Sequence, residues 1–263
     1  MKGIDVSTFN NIGVLKKSAS CEFAILRGGF TGWGSLKKEK DAKYEAFYKK
    51  AKEIGLPIGV YYYSCANTRE AGISEAKFLY DNCLKGRQFE FPIFIDVENV
   101  QWQSKDKKGV TDAIVGFCEA LEGLGYLPGV YSSKSWFADN IDSSRIRWAK
   151  WVAWWGSVKP VCDMWQNSDN AYVNGFRVDS DICYKDFPTI VKTEGLNGYK
   201  KKRKKGDVDG DGKVTSLDAR LALRAAVGLE KLDKESKEAA DMDGDGKITA
   251  DDAREILRGA VHG

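Results

Sequence analysis

Residues 92–98 read Pro-Ile-Phe-Ile-Asp-Val-Glu, and this stretch decides how the rest of the chain is interpreted. Its apolar start, with β-branched and aromatic side chains, is typical of a strand that is buried on both faces. Because side chains alternate along a strand, Asp96 and Glu98 point to the same side, with their Cα atoms roughly 7 Å apart. Two acids at the end of a buried strand are costly unless they are paired or used in chemistry. Taken alone, the stretch leaves open a loop-capping aspartate beside an ordinary surface glutamate.

Strand-like and helix-like patterns alternate on both sides of this stretch. We predict strands at residues 2–7, 23–30, 58–65, 92–98 and 127–133, with amphipathic helices between several of them. Three further strand-like runs follow too closely for full helices to separate them, at residues 151–155, 164–166 and 177–179. This order predicts an α/β fold, a (β/α)5(β)3 barrel with five repeats and three final bare strands.

The early strands of this predicted barrel place polar or aromatic side chains near their carboxyl ends: Asp5, Tyr61, Tyr63, Asp96, Glu98 and Tyr131. In a parallel barrel these ends form the mouth that holds the active site. The chain also contains 8 Trp and 11 Tyr residues, whose flat rings suit stacking on sugar faces. Trp154 and Trp165 are further candidates for substrate contact, with core packing as the alternative for aromatic side chains.

Composition and charge exclude few classes of function. The 263 residues carry a formal net charge of +3, which argues neither for nor against binding to nucleic acid. No apolar run approaches the ~20 residues of a membrane span, and the first residues lead directly into a strand without a signal-peptide pattern. The six cysteines form no zinc-binding spacing, although Cys162 and Cys183 flank late strands and could form a disulfide.

From about residue 2 to residue 191, the chain resembles the glycoside hydrolase family 25 lysozymes. The matching stretches follow one another in the family's order: residues 3–7 (Gly-Ile-Asp-Val-Ser), 59–61 (Gly-Val-Tyr), 96–98 (Asp-Val-Glu), 129–132 (Gly-Val-Tyr-Ser), 165–166 (Trp-Gln) and 178–179 (Val-Asp). The resemblance implies a flattened, TIM-like β/α barrel. It also implies cleavage of the β-1,4 bond between N-acetylmuramic acid and N-acetylglucosamine in peptidoglycan, with no cofactor for catalysis.

The resemblance also assigns roles to individual residues. Glu98 corresponds to the general acid, Asp96 to its partner acid, Asp5 and Asp179 to two flanking acids, and Tyr61 to the aromatic side chain at the cleavage subsite. A buried strand and neighbouring carboxylates raise the pKa of a glutamic acid, as a general acid requires. Substrate assistance by a 2-acetamido group, direct attack by Asp96 and an inverting route all remain open.

The chain changes character after residue 191. Residues 192–206 include a run of adjacent cations at 200–205, which predicts a solvated linker. A calcium-loop pattern then occurs twice, at an offset of 34 residues. Acids occupy loop positions 1, 3, 5 and 12, and a lysine occupies position 7, where the backbone carbonyl is the usual ligand. The predicted ligands for two Ca²⁺ ions are Asp207, Asp209, Asp211, Lys213 and Asp218, and then Asp241, Asp243, Asp245, Lys247 and Asp252.

Two such loops, each followed by one predicted helix, resemble a type I dockerin. The resemblance implies a cohesin partner on a scaffoldin and therefore an extracellular, secreted or cell-surface assembly. We expect the first repeat to contact the cohesin through Ser216, Leu217, Arg220, Leu221 and Arg224. The predicted organisation is a catalytic barrel at 1–191, a linker at 192–206 and a small all-α calcium-binding domain at 207–263. The alternatives are a barrel that binds glycans without cleaving them, and an enzyme for another amino-sugar polymer such as chitin.

Overall fold

The computed structural model describes residues 1–32, 34–99, 106–201 and 203–262. The chain divides into two compact units, Met1–Lys200 and Lys201–Gly263. The strands are β1 Lys2–Val6, β2 Phe23–Thr31, β3 Lys38–Lys40, β4 Ile58–Tyr63, β5 Ile93–Asp96, β6 Pro128–Ser133, β7 Ala149–Ala153, β8 Met164–Val173 and β9 Phe176–Cys183. The helices are α1 Tyr44–Glu53, α2 Arg69–Leu79, α3 Lys107–Gly123, α4 Lys134–Asp139, α5 Phe187–Glu194, α6 Ser216–Ala226, α7 Lys234–Ala240 and α8 Ala250–His262.

The first unit is a closed barrel, and the predicted fold class is confirmed. Around the ring the strands follow the order β1, β2, β4, β5, β6, β7, β8 and β9, and β9 pairs back onto β1. The pairs from β1 to β8 are parallel, whereas β9 is antiparallel to both of its neighbours. Helices α1 to α4 lie in the four connections that lead from β2 through β4, β5 and β6 to β7, and the helical element of the first connection is the 3₁₀ turn Ile12–Val14.

Alternating side chains divide the barrel's apolar residues between two clusters. Phe23, Ile25 and Phe94 belong to the interior cluster, whereas Ala24 and Leu26 pack on the side of the surrounding helices. A Cβ atom at Gly129 would lie 2.4 Å from Cε1 of Phe94. Because real Cβ atoms do not approach that closely, glycine at this position makes room for a phenyl ring inside the barrel.

The late strands differ most from the sequence prediction. The short runs predicted at 164–166 and 177–179 are parts of the long hairpin β8–β9, whose turn is Asn174-Gly175 with φ of 51° and 91°. An Asn-Gly pair is the residue choice that a tight hairpin turn requires, so the sequence did contain this signal. The central strand is shorter than predicted, because β5 ends at Asp96 and leaves Glu98 in the loop beyond it.

The predicted linker at 192–206 is wrong for its first part. Residues up to Glu194 lie in α5, and the side chain of Asn197 is fully buried. Asn197 Nδ2 donates to the carbonyl of Phe91 at 2.8 Å, and its Oδ1 accepts the amide of Leu127 at 2.7 Å. These bonds satisfy buried backbone groups of the barrel, which is why the segment folds onto it.

The end of the basic run belongs to the second unit. Arg203 donates to the carbonyl of Val208 and to the hydroxyl of Ser236, and Lys205 donates to the carbonyl of Asp241. These cations are therefore not the purely solvated spacer that the sequence predicted; Lys202 lies outside the described residues. The second unit is helical, as predicted, but it contains α7 between its two repeats, which the sequence reading did not include.

Two further expectations concern cysteines and membranes. All six cysteines are free thiols, so the possible disulfide between Cys162 and Cys183 is not formed. Over the described ranges, no helix combines the length and the apolar character needed to cross a bilayer.

Candidate functional site

A cleft of about 550 Å³ opens at the carboxyl ends of the parallel strands. Five of the side chains that the sequence proposed line it: Tyr61, Tyr63, Asp96, Glu98 and Asp179. Asp5 is buried next to it, and its Cα pairs with that of Asp179 across β1 and β9. The barrel therefore brings the four predicted catalytic acids to one place.

Asp5 is held by a chain of hydrogen bonds. Gln166 Nε2 donates to Asp5 Oδ2 at 2.7 Å, and the Tyr131 hydroxyl donates to Gln166 Oε1 at 2.8 Å. Burial, followed by the charges of Asp179 and Glu98, raises the pKa of Asp5, while the bond from Gln166 opposes that rise. Tyr131 is thus buried beneath the cleft, where it orients Gln166 instead of lining the cleft itself.

Asp181 is a buried acid that the sequence reading missed. Trp151 Nε1 donates to Asp181 Oδ1 at 2.8 Å, and Oδ2 accepts no donor among the described residues. Burial and then the charge of Asp5 raise the pKa of Asp181, while the hydrogen bond from Trp151 opposes that rise. The signal was present as Asp179-Ser-Asp181, because alternation along a strand places these two acids on one side.

The two central acids differ in exposure. Asp96 is buried, and burial followed by the charges of Glu98 and Asp5 raises its pKa, while Arg27 opposes the rise. Its Oδ1 atom has no hydrogen-bond partner within the described structure. Glu98 opens into the cleft, and the loss of part of its hydration raises its pKa. Bonds from Val97 N to Tyr131 O at 3.1 Å and from Ser64 N to Asp96 O at 2.9 Å fix the backbone of this segment.

Besides Tyr131, two more of the proposed aromatic residues do not line the cleft. Trp154 is exposed near the end of β7, and the amine of Lys134 lies 4.2 Å from the centre of its ring. Trp165 is partly buried, and its Nε1 atom donates to the carbonyl of Trp154 at 2.7 Å. Any contact between these rings and substrate would lie outside the cleft's own lining.

The cleft is also lined by residues that the sequence did not lead us to propose: Ser7, Thr8, Phe9, Arg27, Phe30 and Gly32. Arg27 ends the apolar run of β2 in the same way as Asp96 ends that of β5, so a charge at the end of a buried strand was the available signal. Phe9 lies in a loop, and its ring is 84% exposed.

We expect the cleft acids to make the barrel less stable as the pH rises. Burial, followed by the charges of Asp169 and Glu98, raises the pKa of Asp179 from 3.8 to about 6. The folded chain therefore keeps a proton that the unfolded chain loses, so the contribution to stability is present below pH 4 and is lost between pH 4 and 6. Asp179→Asn should stabilise the barrel by about 1–2 kcal/mol at pH 7, after allowance for partial exposure, and by little at pH 4.

Thermal unfolding of the barrel across pH 4–7 measures this difference. The exposed Asp81→Asn variant is the matched control and should show no such trend. A shift in the midpoint for Asp179→Asn that is equal at pH 4 and pH 7 would show that the proton is not retained.

The second unit contains two clusters of carboxylates. Oxygens of Asp207, Asp209 and Asp211 lie within 4.8 Å of one another, and so do oxygens of Asp241, Asp243 and Asp252. Gly212 and Gly246 have φ of 87° and 83°, the left-handed conformation that the sharp turn at loop position 6 requires.

Hydrogen bonds within the loops also hold the carboxylates in an arrangement that suits a hard cation. Asp207 accepts the amides of Gly210 and Gly212 at 2.9 and 3.1 Å, which folds the loop around its own carboxylates. Asp218 accepts the amide of Val208 at 2.8 Å and that of Thr215 at 2.8 Å, and thereby ties the loop to the start of α6. Clustered carboxylate oxygens held in this way are the ligands that Ca²⁺ prefers.

Comparisons with known proteins cover both units. The family described as "Glycosyl hydrolases family 25" matches residues 4–176, and "Dockerin type I domain" matches residues 205–258. A protein named "Autolytic lysozyme" from Clostridium acetobutylicum is 32% identical over 146 residues, which cover 54% of this chain and 43% of that protein. The chain thus spans less than half the length of this relative.

Solved structures share the fold. The modular autolysin LytC from Streptococcus pneumoniae, in complex with a synthetic peptidoglycan ligand, aligns with a TM-score of 0.59 at 23% identity, over 70% of this chain and 46% of that one. The bacterial lysozyme from Streptomyces coelicolor aligns with a TM-score of 0.57 at 21% identity, over 70% and 92%. Because the first family match covers more than half of the sequence, the chain belongs to glycosyl hydrolases family 25, and it carries a type I dockerin domain after its barrel.

Proposed function

We propose that the chain is a lysozyme that hydrolyses the β-1,4 bond between N-acetylmuramic acid and N-acetylglucosamine in bacterial peptidoglycan. The observation that carries the proposal is the convergence of Asp5, Asp96, Glu98 and Asp179 at one cleft. Glycoside hydrolysis needs an acid that protonates the leaving oxygen and a negative group that stabilises positive charge on the sugar. A barrel that only binds glycans has no need to keep buried acids with raised pKa values, which destabilise the fold at neutral pH.

Glu98 serves as the general acid in this proposal. Its raised pKa keeps it protonated to higher pH than an ordinary glutamic acid, and its side chain opens into the cleft. The rate should therefore fall on the alkaline side as Glu98 loses its proton. Asp96 lines the cleft, and it serves to hold the 2-acetamido group by accepting the N–H of that group. An acetamido group oriented in this way can attack the anomeric carbon, which favours substrate assistance.

Purified peptidoglycan, incubated with the chain and followed by mass analysis of the new reducing ends, tests this function. Muramic acid at the new ends supports the proposal. Glucosamine at the ends indicates a different glycosidase, and cleavage of chitin with no cleavage of peptidoglycan indicates the other amino-sugar polymer. Binding without cleavage indicates a glycan-binding barrel.

We also propose that the dockerin domain binds two Ca²⁺ ions and attaches the enzyme to a cohesin on an extracellular scaffold. In the first repeat, Leu217 is 50% exposed on α6, and the neighbouring side chains Ser216, Arg220 and Arg224 are exposed as well. Leu221 is partly buried and packs against the small core of the unit, beneath these exposed side chains. A cell-wall enzyme on such a scaffold acts outside the cell.

The two repeats differ at the expected contact position, which predicts one dominant binding mode. Asp251 occupies the place of Leu217 in the second repeat, and it pairs with Arg254 at 2.8 Å. A carboxylate cannot enter an apolar pocket without a large desolvation cost. Leu217→Asp should therefore weaken cohesin binding by well over tenfold, since roughly 1.5–3 kcal/mol accompanies full burial of a leucine.

Asp251→Ala is the matched variant in the other repeat, and we expect it to leave the affinity nearly unchanged. Calorimetry with a cohesin that binds the intact chain measures both variants. Comparable losses from the two substitutions would show that both orientations are used.

A further inference from the structure

Arg27 is a charged residue that no catalytic role described above uses. Phe23 and Ile25 belong to the cluster inside the barrel, and the period of two along β2 carries Arg27 onto the same face at the mouth. Its Cα pairs with that of Tyr61 on β4, and both side chains line the cleft. A register shift between Arg27 and Gly29 marks the point where the strand bends away.

The guanidinium of Arg27 is held in place from one side. Its Nε atom donates to Asp41 Oδ2 at 2.7 Å. The buried Asp41 is itself fixed, because it accepts the backbone amides of Thr8 at 2.9 Å and of Lys43 at 2.8 Å. The rings of Phe9 and Phe30 lie beside the guanidinium, with their centres 5.1 and 5.2 Å from Cζ.

This arrangement leaves the end of the guanidinium open to the cleft. In the described part of the chain, Nη1 and Nη2 donate to no protein acceptor, and neither atom is sealed from solvent. Two N–H groups on one planar edge match the two oxygens of a carboxylate. Because Asp41 already fixes the side chain through Nε, the guanidinium is largely oriented before a ligand carboxylate binds to it.

The other charged groups that line the cleft are acids. Asp96, Glu98 and Asp179 repel an anionic group of a substrate, and among the described lining residues the cation is Arg27. A polymer of N-acetylglucosamine alone carries no negative charge. Peptidoglycan carries carboxylates on one side of each muramic acid, as the lactyl carboxylate where the stem peptide has been removed and as the carboxylates of that peptide where it is present.

We propose that Arg27 binds a carboxylate of the peptidoglycan substrate through Nη1 and Nη2, and that this contact makes the cleft select muramyl polymers over uncharged amino-sugar polymers. The inference rests on the proposed lysozyme function and adds the residue that recognises the negative charge of the substrate. Asp41 is its positioning residue, and Phe9 and Phe30 flank the contact.

The test compares three substrates: glycan strands freed of stem peptides, the same strands with their lactyl carboxylates methyl-esterified, and strands that retain their peptides. If the lactyl group is the ligand, esterification should lower kcat/KM of the native chain roughly 10–100-fold, the range expected for a charged hydrogen bond. Arg27→Gln should lose a similar factor on the free strands and show no further loss on the esterified ones. Arg27→Lys keeps the positive charge but lacks the two parallel N–H donors. Its kcat/KM on the free strands should therefore lie between those of the native chain and of Arg27→Gln.

The ratio between substrates separates recognition from folding, because a damaged fold lowers kcat/KM on every substrate equally. Arg145→Gln is the matched control: it removes an exposed arginine bonded to Asp112 at 2.7 Å and should retain the native ratio. An effect of Arg27→Gln confined to peptide-bearing strands assigns the contact to a stem carboxylate. An Arg27→Gln chain that keeps the native ratios on all three substrates overturns the proposal.

Failure of the proposed function can be distinguished from failure of this inference. If the native chain cleaves none of the strands, binding of the free and esterified strands is measured by calorimetry on the native chain and on Arg27→Gln. A preference for free strands that disappears in Arg27→Gln upholds the carboxylate contact without catalysis. The carboxylate contact is rejected if the native chain binds free and esterified strands equally and if Arg27→Gln binds peptide-bearing strands as tightly as the native chain does.

Discussion

Replacing Glu98 with glutamine should lower the rate of peptidoglycan cleavage about 10²–10⁴-fold while the fold stays intact. The amide has nearly the same shape as the carboxylic acid but cannot donate a proton to the leaving oxygen. Glu98 lies beyond the end of β5 and opens into the cleft, so the substitution leaves the buried strand unchanged. Release of new reducing ends from purified peptidoglycan measures the rate, and circular dichroism checks the fold.

Although Glu98→Gln should lower the rate of cleavage, we do not expect it to lower the stability of the barrel. Partial burial raises the pKa of Glu98, so its ionised form is unfavourable in the folded state. An uncharged amide removes this cost, and the variant should be at least as stable as the native barrel at pH 7. Glu119→Gln on α3, which removes an exposed partner of Arg69, is the matched control and should retain full activity. Near-native turnover by the Glu98 variant would remove this residue from the mechanism.

Removal of calcium should unfold the second unit and leave the barrel folded and active. The core of this unit consists largely of small side chains: Val208, Ala219, Ala222, Ala240, Ala253 and Ile256. Such a core buries little apolar surface, so metal binding must supply much of the free energy of folding. At a calcium concentration of 100 Kd, each site adds about 2.7 kcal/mol, and two sites approach the whole stability of a small domain.

Repulsion within each loop adds to this dependence. The carboxylates of Asp207, Asp209 and Asp211 lie within 4.8 Å of one another, and like charges at that distance oppose the folded loop until a cation neutralises them. Chelator added to the full chain should remove the thermal transition of the second unit and part of the helical signal. The barrel transition and the rate of cleavage should not change.

Variants identify the loops as the source of the effect. Asp209→Ala combined with Asp243→Ala should reproduce the loss without chelator, whereas Glu255→Gln, an exposed acid on α8, should not. Loss of the barrel transition together with that of the second unit would contradict the independence of the two units.

The sequence by itself determined the features that depend on short spacing. The calcium loops were readable because their predicted ligands lie within twelve residues, and the backbone conformation of Gly212 and Gly246 follows from the residue type. Short apolar runs with β-branched and aromatic members predicted the barrel strands, because such runs suit strands that are buried on both faces. Family resemblance, carried by motifs such as Asp96-Val-Glu98, supplied the roles that the residues alone left open.

Only the tertiary structure decided which distant residues meet. Gln166 bonds to Asp5 across 161 positions of sequence, and Asp181 reaches Asp5 because β9 closes the ring against β1. Local patterns fix the face on which a side chain lies, but strand register and ring closure fix its neighbours. Arg27 shows the difference: its place at the end of a buried strand was visible in the sequence. Its bond to Asp41 and its position among the cleft acids exist only after the barrel has closed.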